Sequence, residues 1–164
     1  MSSTYGAAVD DGRCLMGIKE EQRQGHARIH AEWHRAASTR DGAALIALYA
    51  EEAVLESPLV PVILDGKLDG ILRGKAEIQI FLEKGARSRP IDLVRWYRSG
   101  TWFSEGRTLI WEYPRETPEG DQVDILEVMD IKDGLIQHHR IYWGWKGCAL
   151  IAPALVRTVE ATRT

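Results

Sequence analysis

Residues 123–143 read VDILEVMDIKDGLIQHHRIYW, and this stretch predicts an antiparallel hairpin. Asp133-Gly134 is a strong signal for a two-residue turn, and the segments on both sides are rich in β-branched and aromatic residues. Because side chains alternate along a strand, the turn determines which residues face each other. The register gives four pairs: Lys132 with Leu135, Ile131 with Ile136, Met129 with His138, and Glu127 with Arg140.

The two faces of this hairpin follow from its register. If Ile131 and Ile136 point into the domain, residues at every second position point inward too. The predicted inward set is Glu127, Met129, His138, Arg140 and Tyr142. A slip of one residue would exchange the two faces. The predicted outer set comprises Leu126, Val128, His139, Ile141 and Trp143.

More β-type sequence precedes the hairpin, whereas the N-terminal half has helical periodicity. Strands are predicted at 91–98, 101–103 and 108–113. A first helix is expected from Lys19 to about Thr39, with an apolar stripe at helical spacing. The stripe consists of His26, Ile29, Trp33, Ala36 and Ala37, whereas His30 and His34 fall outside it and are expected at the surface.

Asp41 is a suitable N-cap for a second helix, on which Leu45, Leu48 and Tyr49 would share one face. Helices first and an antiparallel meander afterwards predict an α+β domain with the helices on one face of the sheet. Three further elements lie between them: a short strand at 53–56, an apolar flap rich in turn residues at 58–73, and a third helix at 74–87.

The composition limits the classes of function. A chain of 164 residues with 45% hydrophobic content fits one domain with a sizeable core. The net charge of -3, without a run of basic residues, argues against nucleic acid or anionic membranes as partners. Cys14 and Cys148 form no metal-binding or disulfide pattern, and the first residues lack a secretory signal. We therefore expect a cytoplasmic protein without a metal site.

Three segments are expected along the chain: an N-terminal arm at 1–18, the folded domain at 19–147, and a tail at 148–164. The arm is rich in small and polar residues without a period. The first part of the tail, up to Val156, is apolar, so it should pack on the domain, across the mouth of its pocket, or on a partner subunit. Pro153 argues against one continuous helix through the tail.

Several of these motifs together resemble a known superfamily. They are Asp41-Gly-x-x-Leu-x-x-Leu-Tyr-Ala-x-x-Ala-Val-Leu-x-Ser-Pro58, Gly74-x-x-x-Ile-x-x-Phe-Leu82, and Asp133-Gly-x-Ile-x-x-x-Arg-x-Tyr142. Residues 20 to 145 are similar to the nuclear-transport-factor-two-like superfamily, in particular its SnoaL-like domains. Relatives include polyketide cyclases, ketosteroid isomerase, limonene epoxide hydrolase and scytalone dehydratase. The resemblance implies a cone-shaped, curved, mixed or antiparallel sheet wrapped around three N-terminal helices, with a central pocket.

The resemblance also suggests roles for three residues. Trp33 occupies the position of the isomerase's oxyanion-binding tyrosine, and its indole can donate a hydrogen bond but cannot titrate. Glu127 matches the second acid of the oxyanion hole. Ser57 stands where the isomerase has its aspartate base, and a serine cannot shuttle a proton unaided. The epoxide hydrolase's catalytic set has no assignable counterpart.

The inward face of the hairpin supplies the candidate catalytic residues Glu127, His138, Arg140 and Tyr142. His138 would act as a base, and Arg140 or Tyr142 would stabilise developing negative charge. The alternative is structural: Glu127 and Arg140 form an ion pair, and Tyr142 caps the core. The candidate ligand-binding residues are Trp33, Ser57 and Met129.

Two functional hypotheses remain open. The first is a pocket protein that binds a small, largely apolar organic molecule and catalyses proton transfer without a cofactor, as in an isomerisation, cyclisation or dehydration. The second is a non-catalytic ligand-binding or homodimeric accessory module. Under either hypothesis we expect a homodimer that packs through the apolar outer face of the sheet.

Overall fold

The computed structural model describes residues 11–64, 66–88, 101–116 and 122–161. Its helices are α1 (Asp11–Thr39), α2 (Gly42–Ala47), α3 (Val60–Ile63), α4 (Lys75–Ser88) and α5 (Trp145–Ala161). Its strands are β1 (Tyr49–Glu56), β2 (Ile71–Arg73), β3 (Trp102–Glu105), β4 (Thr108–Glu116), β5 (Gln122–Lys132) and β6 (Leu135–Trp143).

The described strands form one open sheet in the order β2-β1-β6-β5-β4-β3. Only the central β1–β6 pair among them is parallel. The prediction of an α+β fold with a mixed sheet is therefore confirmed. The strand predicted at 91–98 lies outside the described residues.

Two predicted boundaries near the N-terminus are wrong. Helix α1 starts at Asp11 instead of Lys19, so part of the predicted arm is helical. Arg, Leu and Met are good helix formers, and these residue types extend a helix without needing a buried stripe. Tyr49 begins β1 and is not part of α2, because strand pairing with Ile136 of β6 takes over once α2 ends. The N-cap is confirmed: the Asp41 carboxylate accepts the Ala44 N–H at 2.9 Å.

The register of the closing hairpin is correct at the turn and wrong beyond it. Ile131 pairs with Ile136 as predicted, but Asp130 pairs with His138, so Gln137 is an extra residue in β6. The Gln137 side chain turns back and donates to the carbonyls of Lys132 and Leu135. This β-bulge shifts the alternation of every later residue in the strand.

The bulge exchanges the faces of β6 from residue 138 onward. His138, Arg140 and Tyr142 therefore lie on the face away from α1, contrary to the prediction. Ile141 and Trp143, predicted on the outer face, lie on the inner one together with the buried His139. The apolar set on which the homodimer prediction rested is thus reduced to Leu126 and Val128, although the homodimer itself stays a prediction.

Helix α1 packs against the inner face of the sheet, and its buried surface is wider than the apolar stripe that was predicted from the sequence. His30 and His34 are buried, so their predicted surface position is wrong. Their rings lie against the sheet: the His30 ring is 5.2 Å from Trp111 between centroids, and the His34 ring is 5.3 Å from the same indole. Burial lowers the pKa of both His26 and His30.

Helix α5 runs through Pro153 without a break, which contradicts the expectation that the proline would interrupt it. A proline in a helix interior costs about 3 kcal/mol, and tertiary packing can offset that loss. Ile151 is buried, and the Thr158 hydroxyl donates to the Pro61 carbonyl of α3 at 3.4 Å. Helix α5 thus lies beside the apolar flap. None of the described helices is both long and apolar enough to cross a membrane.

Gly147 is expected to be essential for the position of α5. A Cβ atom at this position would lie 2.5 Å from the Trp143 ring and 2.8 Å from Val123. Gly147→Ala should therefore lower the free energy of unfolding by about 1–3 kcal/mol, as overpacking does. Gly25→Ala in α1 is the matched control, since nothing lies within 4 Å of its Cβ position. In urea unfolding, the control should raise the free energy of unfolding by up to about 1 kcal/mol. If both substitutions changed the free energy of unfolding equally, the close packing around Gly147 would be contradicted.

The buried histidines predict an acid-sensitive fold. In the unfolded chain His26 and His30 protonate around the ordinary value of 6.5, but in the folded chain burial holds their pKa lower. Between these two values the unfolded state binds more protons, so the free energy of unfolding should fall as the pH drops below about 6.5. His30→Phe keeps a ring and removes one titration, and should flatten this dependence in urea unfolding. An unchanged slope would show that His30 does not contribute.

Candidate functional site

The structure divides the predicted site residues between two regions. The inner region lies between α1 and the sheet and contains Trp33, Glu127 and Met129, which are all buried. The second region lies on the outer face and at the end of β1 and β6. It contains Ser57, His138, Arg140 and Tyr142.

The inner region is organised around a buried carboxylate and a buried imidazole. His139 Nε2 lies 2.5 Å from Glu127 Oε2, and each side chain is 1% exposed. Tyr113 donates its hydroxyl hydrogen to Glu127 Oε1 at 2.5 Å. The Tyr49 hydroxyl lies 2.7 Å from His139 Nδ1. The four side chains form one continuous hydrogen-bonded network, which we call the inner network.

Four strands, β1, β4, β5 and β6, and one bulge position the inner network. Glu127 pairs with Trp111 of β4 and Ile141 of β6, so it points to the same face as both. His139 is one step along from Ile141 on this face, next to Met129. Sequence reasoning missed Tyr49, Tyr113 and His139. The polar side chain of Gln137 between the turn and the His-His pair is the only local sign of the bulge.

The protonation of Tyr49 follows from its burial. Desolvation raises the pKa of the Tyr49 phenol, the nearby Glu127 carboxylate raises it further, and Trp33 lowers it. Tyr49 therefore stays protonated and can donate to His139 Nδ1. With Nδ1 as the acceptor, His139 Nε2 is the nitrogen that donates to Glu127. In this arrangement His139 connects a neutral phenol to a carboxylate.

An aromatic wall surrounds the inner network. The Trp33 ring lies 5.3 Å from Trp111, 5.7 Å from Tyr113 and 6.4 Å from His139 between centroids. Trp111 Nε1 and His30 Nε2 are buried and have no hydrogen-bond partner among the described residues. The Trp33 indole N–H also lacks a well-formed hydrogen bond, although Trp33 is close enough to Tyr49 to lower its pKa. Buried polar atoms without hydrogen-bond partners are rare, and each marks a place where a ligand or water could bind.

The outer region has a different set of contacts. Arg140 donates to Asp130 at 2.9 Å, so the predicted ion pair between Glu127 and Arg140 is wrong. His138 Nε2 lies 2.5 Å from the Glu56 carboxylate instead of facing the interior. Tyr142 is 53% exposed and does not cap the core. Each change follows from the bulge, which turns these side chains outward.

Ser57 is buried at the end of β1, and its Oγ accepts the Leu59 N–H at 3.2 Å. Together with Arg140 and Tyr142 it borders an open groove of about 450 Å³. Within the described parts of the chain, no cluster of three or more His, Cys, Asp or Glu side chains is arranged to hold a metal ion.

Comparison with solved structures gives many neighbours of the same fold. A protein from Kribbella flavida aligns over 81% of this chain and 95% of its own, with a TM-score of 0.56 and 21% identity. A SnoaL-like protein of unknown function from Burkholderia thailandensis has a TM-score of 0.57 and 18% identity, covering 74% and 95% of the two chains. A candidate ketosteroid isomerase from Kribbella flavida has a TM-score of 0.54 and 13% identity, covering 74% and 78%.

No curated protein matches the chain. The family model described as a SnoaL-like domain matches residues 30–139, which is more than half of the sequence. This segment runs from the middle of α1 to the bulged strand and contains Glu127 and His139 of the inner network. The chain therefore belongs to the SnoaL-like family, within the nuclear-transport-factor-two-like superfamily.

Proposed function

We propose that this protein binds a small, largely apolar organic molecule between α1 and the sheet, and catalyses proton transfer on it without a cofactor. The observation that carries the proposal is the inner network, in which Glu127 and His139 are hydrogen-bonded at 2.5 Å and buried. A carboxylate that orients an imidazole is a common arrangement for a general base. A reaction of the isomerase, cyclase or dehydratase type needs such a base.

The base in this proposal is the Glu127–His139 pair, with Tyr49 on the other side of the imidazole. Protonated Tyr49 donates to His139 Nδ1 and fixes one tautomer. A substrate that displaces the Tyr49 side chain from Nδ1 would free this nitrogen to accept a carbon-bound proton, and the displaced hydroxyl would donate to the substrate. Glu127 stabilises the imidazolium that results.

The aromatic wall would hold the substrate. Trp33 and Trp111 offer apolar faces to an organic ring, and the indole N–H of Trp111 lacks an acceptor. A carbonyl oxygen accepting this hydrogen bond would be polarised as negative charge develops on it. The candidate ketosteroid isomerase among the structural neighbours is consistent with this chemistry but, at 13% identity, supports only the fold.

The alternative is a non-catalytic ligand-binding or accessory module. Tyr49, Glu127 and His139 are each no more than 1% exposed, which favours a structural role for the inner network. In that case the network would stabilise the interior and react with nothing. The two proposals differ in whether the imidazole ever exchanges a proton with a bound carbon acid.

Deuterium exchange tests the catalytic proposal without knowledge of the product. The protein would be incubated in D₂O with a panel of cyclic ketones and enones, and loss of the α-proton signals would be followed by NMR. We expect enzyme-dependent exchange for at least one compound. Because general-base catalysis contributes about 10²–10⁴-fold, His139→Asn should reduce the exchange rate by at least about 100-fold.

His138→Asn provides the matched control, because this neighbouring histidine lies on the opposite face of the sheet. It should leave the exchange rate within about twofold of the wild type, as expected of a group remote from the reacting atoms. Tyr49→Phe removes only a hydroxyl from the inner network. It provides a second test if His139→Asn does not fold. If His139→Asn and Tyr49→Phe both exchange as the wild type does, the inner network is not the base. If no ketone exchanges while some bind, the accessory function replaces the catalytic one.

A further inference from the structure

A groove forms where β1 ends and β6 continues. The parallel pairing of these strands stops at Glu56 and Arg140, but β6 extends to Trp143. The connection from β1 to β2, which includes α3, and the helix α5 enclose the open edge that remains. The groove has a volume of about 450 Å³, within the usual range of small-molecule sites.

The walls of this groove are mostly apolar. Leu68 comes from the connection between α3 and β2, and Leu155 comes from α5. Leu68 is 42% exposed, and the Tyr142 ring, at 53%, is open to the same space. A small apolar group bound here would bury this surface, and the burial of apolar surface is favourable.

The ionisable groups of the groove favour a positive charge. Glu56 and Asp69 are the carboxylates among its described lining residues, and Arg140 is the guanidinium. The Arg140 charge is balanced by Asp130, to which it donates at 2.9 Å. Among the described residues, the partner of the Glu56 side chain is His138, through one oxygen, and the Glu56 side chain is 44% exposed. Asp69 is exposed and accepts one backbone N–H, from Ile71, at 3.2 Å.

We propose that this groove is a binding site for a protonated organic amine on a small apolar body. Glu56 and Asp69 would pair with the ammonium group, and the Tyr142 ring, which lines the same groove, would contact the same cation. An organic carboxylate would meet two like charges and a guanidinium that is already paired. The site is separate from the inner network, because Glu56 and Arg140 project from the face of the sheet opposite α1.

Three ligands of nearly equal size and different charge test the proposal. Benzylamine, benzyl alcohol and benzoate would be titrated at neutral pH into ¹⁵N-labelled protein, followed by amide chemical shifts. Benzylamine should bind most tightly and shift amides at Glu56, Gly70, Tyr142 and Leu155. Benzyl alcohol should bind more weakly, and benzoate should cause no shifts there. The benzylamine affinity should also fall with added salt, since the pairing groups are exposed.

Two variants assign the binding to the proposed carboxylates. Glu56→Gln and Asp69→Asn should each lower the affinity for benzylamine about two- to fivefold, which is typical of the loss of an exposed charge pair. Asp69→Asn retains an oxygen for the Ile71 N–H, so the loop should be unchanged. Glu52→Gln is the control, because Glu52 lies exposed on the same strand and does not line the groove.

The outcomes are distinct. Tighter binding of benzylamine that both groove variants weaken and the Glu52→Gln control does not would support the site. Benzoate binding equal to that of benzylamine, unchanged affinity in both groove variants, or shifts confined to α1 and the inner network would overturn it.

Discussion

The bulge at Gln137 is the constraint on which the rest of the molecule depends. Without it, β6 would continue the alternation set by the Asp133-Gly134 turn, and His138 would point inward in place of His139. One additional residue exchanges the two faces of the strand. Few hydrogen bonds are lost, because the pairing with β5 resumes at once between Asp130 and His138. The burial of His139, and the outward position of His138, Arg140 and Tyr142, follow from this change of face.

The bulge gives the adjacent histidines opposite surroundings. His139 lies among Tyr49, Glu127 and an aromatic wall, where hydrogen bonds are strong because water is excluded. His138 contacts Glu56 at a partly exposed position, where solvent weakens charge interactions. The same residue type therefore joins a buried hydrogen-bonded network on one face and a partly exposed contact with a carboxylate on the other.

The described interior contains several polar and ionisable side chains, among them His30, His34, Glu127 and His139. A buried carboxylate, imidazole and phenols must satisfy one another, since unpaired groups in a core cost about 1–3 kcal/mol each. The inner network meets this requirement for Glu127 and His139, whereas Trp111 Nε1 and His30 Nε2 keep no partner. This combination of a satisfied acid–base pair beside unsatisfied donors is what distinguishes a candidate reaction site from an ordinary core.

The sequence alone determined the order of elements and the family, because capping at Asp41, helical periodicity and the Asp133-Gly134 turn are local signals. It also identified Trp33, Glu127 and Met129 as interior residues, since all three precede the bulge. Only the tertiary structure decided the faces of β6, the burial of His30 and His34, and the continuity of α5 through Pro153. Each depends on pairing or packing with residues distant in sequence, and the free energy of those contacts outweighs the local preference.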